Sequence, residues 1–502
     1  MAFAITQTCC ADATCVSVCP VNCIHPTPEE RAFGSTEMLY IDPRSCIDCG
    51  ACADACPVDA VRPVLSLTGP EEAYATINAD YFEGTEPTTR TPGSPNLHDW
   101  GAPRFDRVLG ADFPRLRVAI VGSGPAGMYA AEDLILHADA EVTVLDRLPV
   151  TDGLIRFGVA PDHPATKQVA ENFHRLHQHP RVRLALGVEV GTDVTHEQLL
   201  EHHDAVIYAV GAPSDRRLGV PGEDLPGSLP ATTVVGWYNG HPDVAADAVD
   251  LDTERVVVVG TGNVALDVAR VLLSDPDTLA GTTIAPHALA ALRTSKVHEV
   301  VLLARRGPED AAWTRPELLA LRHLPGVELV VDDHAEEVGA TIDAAERGRK
   351  AATLQGVARR GIDWSLPPAP GRRIVVRFLA TPVEVTGDEE TRGIVVSDGA
   401  RRTEIAAARV IRAIGHRGQR VADLPWDGAT ATVPHHEGRV DSLPGAYVAG
   451  WIKRGPSGGI GTNRRCATET VGTLFDDVIT GRISTGAVRR RGLKRLLARA
   501  QR

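Results

Sequence analysis

The stretch Arg117-Val-Ala-Ile-Val-Gly-Ser-Gly-Pro-Ala-Gly127 constrains this chain more than any other. Val118 to Val121 reads as a buried strand, Gly122-x-Gly124-x-x-Gly127 as a tight turn, and the residues from Met128 as a helix. Gly122 permits the sharp turn, Gly124 leaves room for a pyrophosphate against the backbone, and Gly127 lets helix and strand pack closely. The helix N-terminus then faces the phosphate charge. A second strand, Glu141-Val-Thr-Val-Leu, ends at Asp146, nineteen residues past Gly127, where a ribose-binding carboxylate belongs. Strand, turn, helix and acid together make a dinucleotide-binding unit, and the fold class is α/β.

A second fingerprint lies downstream. Arg255-Val-Val-Val-Val-Gly260-Thr261-Gly262-Asn263-Val264-Ala265 repeats the pattern, with Ala265 in the third small position. Its later strand, Glu299-Val-Val-Leu-Leu-Ala, ends in Arg305-Arg306 instead of an acid. Paired guanidiniums there suit a 2′-phosphate and favour NADP over NAD. The first unit breaks off after Asp204-Ala-Val-Ile-Tyr-Ala-Val-Gly211-Ala212 and resumes near residue 413. Two Rossmann-like domains are expected, 114–212 with 413–485, and 213–412 inserted between those parts. In the returning part, a strand ends at Gly450-Trp451, and Gly458-Gly459-Ile460-Gly461 opens a helix. Backbone amides at that helix start suit the polar edge of a flavin. Trp451 stands beside the flavin or nicotinamide, or packs in the core. Gly153 to His163 is too polar and glycine-rich for a regular element and reads as a loop beside a cofactor.

Of the ten cysteines, nine lie between Cys9 and Cys56. Such clustering, without a secretion signal, argues for metal over disulfides. Cys46-Ile-Asp-Cys49-Gly-Ala-Cys52-Ala-Asp-Ala-Cys56-Pro57 is an iron–sulfur run whose fourth cysteine serves the other cluster. The earlier half, Cys9-Cys10 through Cys15, Cys19-Pro20 and Cys23, keeps the closing spacing but not the regular lead. Two clusters are expected in an α+β domain over residues 1–80. Residues 81–113, with Glu86 to Pro95 rich in breakers, read as a linker that tethers this domain. Residues 1–80 carry a balance of −8, which suits docking on a basic surface. The basic tail, 486–502, reads as a solvated helix. No apolar run is long enough to span a membrane, and the cytoplasm is the default setting.

Cys19-Pro-Val-Asn-Cys23 and Met38-Leu-Tyr-Ile-Asp-Pro resemble the seven-iron and eight-iron bacterial ferredoxins. That resemblance implies a 4Fe–4S cluster on Cys19, Cys46, Cys49 and Cys52. Cys9, Cys15 and Cys56 would hold the second, either 3Fe–4S or, with Cys10 or Cys23 joining, 4Fe–4S. Residues 115–480 resemble the adrenodoxin-reductase-type ferredoxin–NADP reductases through Phe157-Gly-Val-Ala-Pro-Asp-His-Pro, Gly262-Asn-Val-Ala-Leu-Asp-Val-Ala-Arg and Gly450-Trp-Ile-Lys-Arg-Gly-Pro. The whole chain is similar to a bacterial fusion of a ferredoxin to such a reductase. The resemblance implies an FAD site at Ala126, Asp146, Leu154, Val190, Trp451 and Gly458 to Ile460. It implies an NADP site at Thr261 to Val264, Arg305, Arg306, Glu317 and Gly458. His163 and Glu317 become candidates for proton handling near the flavin.

Electron transfer between NADPH, FAD and iron–sulfur clusters is the implied activity. It leaves room for an external ferredoxin or other one-electron carrier at the end. Residues 57–465 contain no closely spaced cysteine pair, which counts against a disulfide reductase. Two rivals remain: a partner subunit of an amidotransferase such as glutamate synthase, and a non-catalytic electron-carrier module. No feature calls for nucleic acid.

Overall fold

The computed structural model describes residues 2–85, 109–110, 112–346, 348–486 and 492–500. Two parallel sheets organise it. The first has five strands in the order Ala446–Val448, Ala205–Tyr208, Leu116–Val121, Ala140–Asp146 and Val182–Leu186. Leu116–Val121 sits in the middle, with Val118, Ala119 and Ile120 fully buried. A strand covered on both faces has no solvent side, so Val118 to Val121 run apolar without alternation. The helices Pro125–His137 and Ile460–Ile479 pack against each other over this sheet.

The second sheet has seven strands, ordered Ser228–Pro230, Arg409–Arg412, Arg255–Val259, Glu299–Leu303, Arg372–Arg377, Val327–Asp332 and Ala358–Arg360, again all parallel. A three-stranded antiparallel sheet, Thr381–Gly387, Thr391–Ser397 and Arg402–Ala406, covers one face through Val385, Ile394, Val396 and Ile405. Nothing in the sequence set this insert apart. The chain crosses between the large sheets twice, and the crossings pair as a short ribbon, Ser214–Asp215 with His416–Arg417. The stretch 153–163 is not all loop: Leu154–Phe157 forms one helical turn after Gly153.

The N-terminal module is built from two antiparallel pairs, Phe3–Ile5 with Val61–Pro63 and Ile24–His25 with Tyr40–Ile41. Two one-turn helices, Thr14–Ser17 and Ala51–Asp54, bury Cys15 and Cys52. A further helix, Ala73–Tyr81, lies across both pairs. Its buried Asn78 accepts from the Ile5 and Ile41 N–H groups at 3.1 and 2.9 Å. The same side chain donates to the Ile5 and Tyr74 carbonyls, each at 2.8 Å. A buried amide is stable only when its groups are paired, and these bonds staple two sheets that share no ladder.

This module is docked as well as tethered. One apolar cluster runs from Ile5, Leu39 and Tyr74 of the module to Tyr129, Val471 and Phe475 of the five-stranded unit. Gly461 sits at the join: its N–H donates to the Cys10 carbonyl at 3.0 Å. Phe82 is buried with the module, while the rest of the expected linker, residues 86–108 and 111, lies outside the described residues. So do residues 487–491, 501 and 502 of the tail. Its helix Leu493–Ala500 is held by Leu497, 6% exposed, against the cluster around Leu199 and Val206. The expected solvated helix therefore has a docked apolar stripe. Among the described residues, no helix is long and apolar enough to cross a membrane.

A Cβ on Gly461 would meet the Ala11 carbonyl carbon and oxygen at 2.4 Å. Overpacking of this kind costs about 1–3 kcal/mol. Gly461→Ala is expected to lower the urea midpoint for loss of the iron–sulfur absorbance. Gly428→Ala, with nothing within 4 Å, is expected to leave it unchanged.

Candidate functional site

The two fingerprint turns share one construction. Gly122 has φ +108°, and a Cβ on it would lie 2.4 Å from the Ala209 carbonyl oxygen. Gly260 has φ +125°, with the Ala413 oxygen 2.3 Å from the same position. Both turns therefore demand glycine, since the neighbouring strand end fills the space a side chain needs. A Cβ on Gly127 would lie 2.0 Å from the Gly122 oxygen, and Ala265 is fully buried. The second glycine of each turn, Gly124 or Gly262, caps the helix that follows. A Cβ there meets nothing nearer than 3.9 Å at Gly124 and nothing within 4 Å at Gly262. Open backbone at two helix N-termini fits two pyrophosphates.

Around the first turn, Asp146 accepts from the Ser123 N–H at 2.8 Å and from the Ser123 hydroxyl at 2.5 Å. Its other oxygen accepts from the Leu148 N–H at 2.9 Å. The carboxylate braces the turn, and each oxygen keeps acceptor capacity for a ribose hydroxyl. Gly153 lies against Gly124, and the adjacent Asp152 buries an Oδ1 without a partner. Such an orphaned acceptor fits a polar ligand in this cradle. Ala126 is buried, Val190 lies in the isolated bridge to Val194, and Leu154 is 40% exposed. The Trp451 Nε1 donates to the carbonyls of Ser457 and Gly458 at 3.1 and 3.3 Å. The indole thus fixes the turn Gly458, Gly459, Ile460, whose Gly458 has φ +74°.

Around the second turn, Asn263 accepts from the Thr314 N–H at 2.8 Å, and Thr261 accepts from the Ala312 N–H at 3.3 Å. These bonds hold the approach to the helix Arg315–Arg322, which carries Glu317. Val264, at the start of the fingerprint helix, packs on the core of this unit. Arg305 and Arg306 are exposed at the end of Glu299–Leu303, and Arg306 pairs with Asp310 at 3.2 Å.

His163 and Glu317 meet at a residue that the sequence did not single out. Arg270, 6% exposed, donates to Asp162 at 2.6 and 3.1 Å and to Asp267 at 2.7 Å. It also donates to His163 Nε2 at 2.6 Å and to Glu317 Oε2 at 3.4 Å. Asp267 lies 3.5 Å from His163 Nε2, and Glu317 lies 4.0 Å from it. Burial opposes a charge on His163, but its hydrogen bond with Asp267 prevails and raises its pKa. The Arg270 contact demands the unprotonated nitrogen, whereas Asp267 favours the protonated one. Two carboxylates face this one ring atom and hold its pKa up. Burial, then Asp267, raises the pKa of Glu317. The available signal was the spacing of Asp267 and Arg270, three apart on one helix face. The three acceptors His163, Asp267 and Glu317 also meet the distance pattern of a cation site, but Arg270 already supplies the positive charge.

The cysteines fall into two groups. Cys52 has Cys19, Cys46 and Cys49 as its charged neighbours, and Cys15 has Cys9 and Cys56 among its own. Burial pushes the Cys9 thiol up to about 11 and the Cys52 thiol up to about 12. Cys10 adjoins Cys9 and Cys56. Cys23 is elsewhere: its sulfur is 3.5 Å from that of Cys19 and bonds Cys46. It therefore stands beside the first group and does not join the second. Cys49 is exposed, whereas the loop after Cys9 is sealed against Gly461. Cysteines gathered in this number suit iron–sulfur ligation.

Residues 116–339 match the family model described as pyridine nucleotide-disulphide oxidoreductase, and residues 39–62 match a 4Fe-4S binding domain. The chain is 45% identical over 499 residues to a probable ferredoxin/ferredoxin–NADP reductase of Mycobacterium bovis, covering 96% of this chain and 85% of that one. It is 38% identical to the mitochondrial NADPH:adrenodoxin oxidoreductase of Arabidopsis thaliana, over 76% of this chain and 86% of that one. The solved structure of Mycobacterium tuberculosis FprA in complex with NADPH superposes with a TM-score of 0.70 at 42% identity, covering 77% of this chain and 91% of that one. At such identity over nearly its whole length, the chain belongs to the family of ferredoxin/ferredoxin–NADP reductases.

Proposed function

We propose that this chain is an NADPH-dependent reductase that exchanges electrons between the dinucleotide and its own iron–sulfur module. The carrying observation is the Cys10 carbonyl bonded to Gly461, at the start of the helix that follows Gly458 to Ile460. A cysteine group thus sits one residue from the turn assigned here to the flavin.

Gly122, Gly124, Ala126, Gly127, Asp146, Leu154, Val190, Trp451 and Gly458 to Ile460 would hold FAD. Thr261, Gly262, Asn263, Val264, Arg305, Arg306, Glu317 and Gly458 would hold NADP(H). Cys19, Cys46, Cys49 and Cys52 would hold a 4Fe–4S cluster. Cys9, Cys15 and Cys56 would hold the second, as 3Fe–4S or, with Cys10, as 4Fe–4S. Bound there, FAD supplies the conversion between hydride transfer and one-electron transfer, and the clusters supply one-electron storage. Arg305 and Arg306 neutralise the 2′-phosphate. Trp451 keeps the Gly458 turn closed. His163 holds or releases a proton at Nε2, where Asp267, Glu317 and Arg270 set its charge. Cysteines kept as thiolate ligands suit a reducing compartment, which supports a cytoplasmic setting. Exposed Cys49 gives an external one-electron carrier an approach to the module.

Two outcomes test this reading. A charged hydrogen bond contributes about 1.5–3 kcal/mol, so Arg305→Ala is expected to lower kcat/KM for NADPH about tenfold or more. The value for NADH is expected to stay within about twofold, since NADH lacks that phosphate; equal losses for both would contradict the assignment. Asp267→Asn removes the carboxylate charge that helps raise the His163 pKa. The proton-linked limb of the rate of flavin bleaching by NADPH is expected to move to lower pH. An unmoved limb would exclude His163 as its source.

A further inference from the structure

We propose that the N-terminal module is a working part of the dinucleotide site, with Gln7 as the residue that positions Glu317. This rests on the assignment of Glu317 to NADP(H) above. The Gln7 Nε2 donates to Glu317 Oε2 at 3.0 Å, across 310 residues of chain. Arg270 reaches the same oxygen only at 3.4 Å. Both bonds fall on Oε2, which leaves Oε1 to accept from a hydroxyl or amide of the dinucleotide. Without Gln7 the carboxylate keeps one long bond, and its rotamer is no longer set.

The amide is presented from a rigid support. Gln7 follows strand Phe3–Ile5, whose Ile5 N–H and carbonyl are both bound by Asn78. Thr6 is pinned twice to the Ala60 carbonyl, through its N–H at 2.8 Å and its hydroxyl at 3.0 Å. A side chain held this way can fix a partner to a fraction of an ångström. The module also grips the same helix at its start: Glu37 Oε2 accepts from the Arg315 N–H at 3.0 Å, and Lys350 lies 3.6 Å from Glu37. Glu317 thus lies between Arg270 and His163 on one side and the module, through Gln7, on the other.

The test uses the full holoprotein, with flavin and iron content verified for each variant. NADP⁺ binding is read from the flavin difference spectrum, and flavin bleaching from rapid mixing with NADPH. Gln7→Ala is expected to weaken NADP⁺ binding about tenfold. The bleaching rate at saturating NADPH is expected to fall by a smaller factor than the affinity, since the residue touches no reacting atom. Gln7→Glu is nearly isosteric and separates positioning from packing. At low pH the two carboxyls share a proton and the bond is restored; at higher pH both ionise and repel. NADP⁺ affinity of Gln7→Glu is therefore expected to fall as pH rises, along a limb absent from the unaltered protein. Gln7→Ala binding within twofold of the unaltered protein, or Gln7→Glu without that limb, would overturn the proposal. Failure of the unaltered protein to bind NADP⁺ or bleach with NADPH would instead overturn the reductase reading itself.

Discussion

The structure turns on one buried cation. Arg270 joins Asp162 of the five-stranded unit to Asp267 and Glu317 of the seven-stranded unit. Glu317 in turn accepts from Gln7 of the N-terminal module. Three separately folded parts thereby meet within one hydrogen-bonded cluster. Removing one partner from a buried ion group leaves the rest uncompensated, at a typical cost of about 3–5 kcal/mol. The relative position of the parts is thus tied to the protonation of the site. Lys167 adds to this tie: it reaches the Arg156 carbonyl and Asn239, each at 2.9 Å, and burial lowers its pKa to about 8.

Docking changes what fusion does for the protein. A flexible tether raises the effective concentration of one domain near another but leaves their orientation free. Here an apolar cluster is shared across the join, and Gly461 brings two backbones together where a side chain would not fit. The two cysteine groups are consequently unequal. The loop after Cys9 is sealed against the nucleotide unit, and Cys49 faces solvent.

Legibility in the sequence followed how local each determinant was. Both glycine turns were readable because sterics fix residue type within a few positions, as at Gly122 and Gly260. The clustering of the cysteines was legible from spacing, their division into two groups was implied by the resemblance to two-cluster ferredoxins, and the place of Cys23 was left open. Its proximity to Cys19 and Cys46 depends on how the pair Ile24–His25 and Tyr40–Ile41 folds back. Asp267 and Arg270 were visible as a helical pair, but their meeting with Asp162 joins residues more than a hundred positions apart. Gln7, Glu37 and Asn78 had no local signature, since each is an ordinary polar residue whose partner comes from a distant element. The three-stranded insert was hidden for a related reason: Val385, Ile394 and Ile405 bury their side chains against the larger sheet, so they read as more of the same core.

The most direct measurement is the rate at which the iron–sulfur module is reduced after anaerobic mixing with NADPH. Rapid-freeze EPR would follow the clusters and absorbance the flavin, over a wide range of protein concentration. Transfer within one docked chain is first order, so the result expected is flavin bleaching followed by cluster reduction at a rate independent of protein concentration. A cluster rate that rises in proportion to concentration, or no bleaching with NADPH, would contradict it.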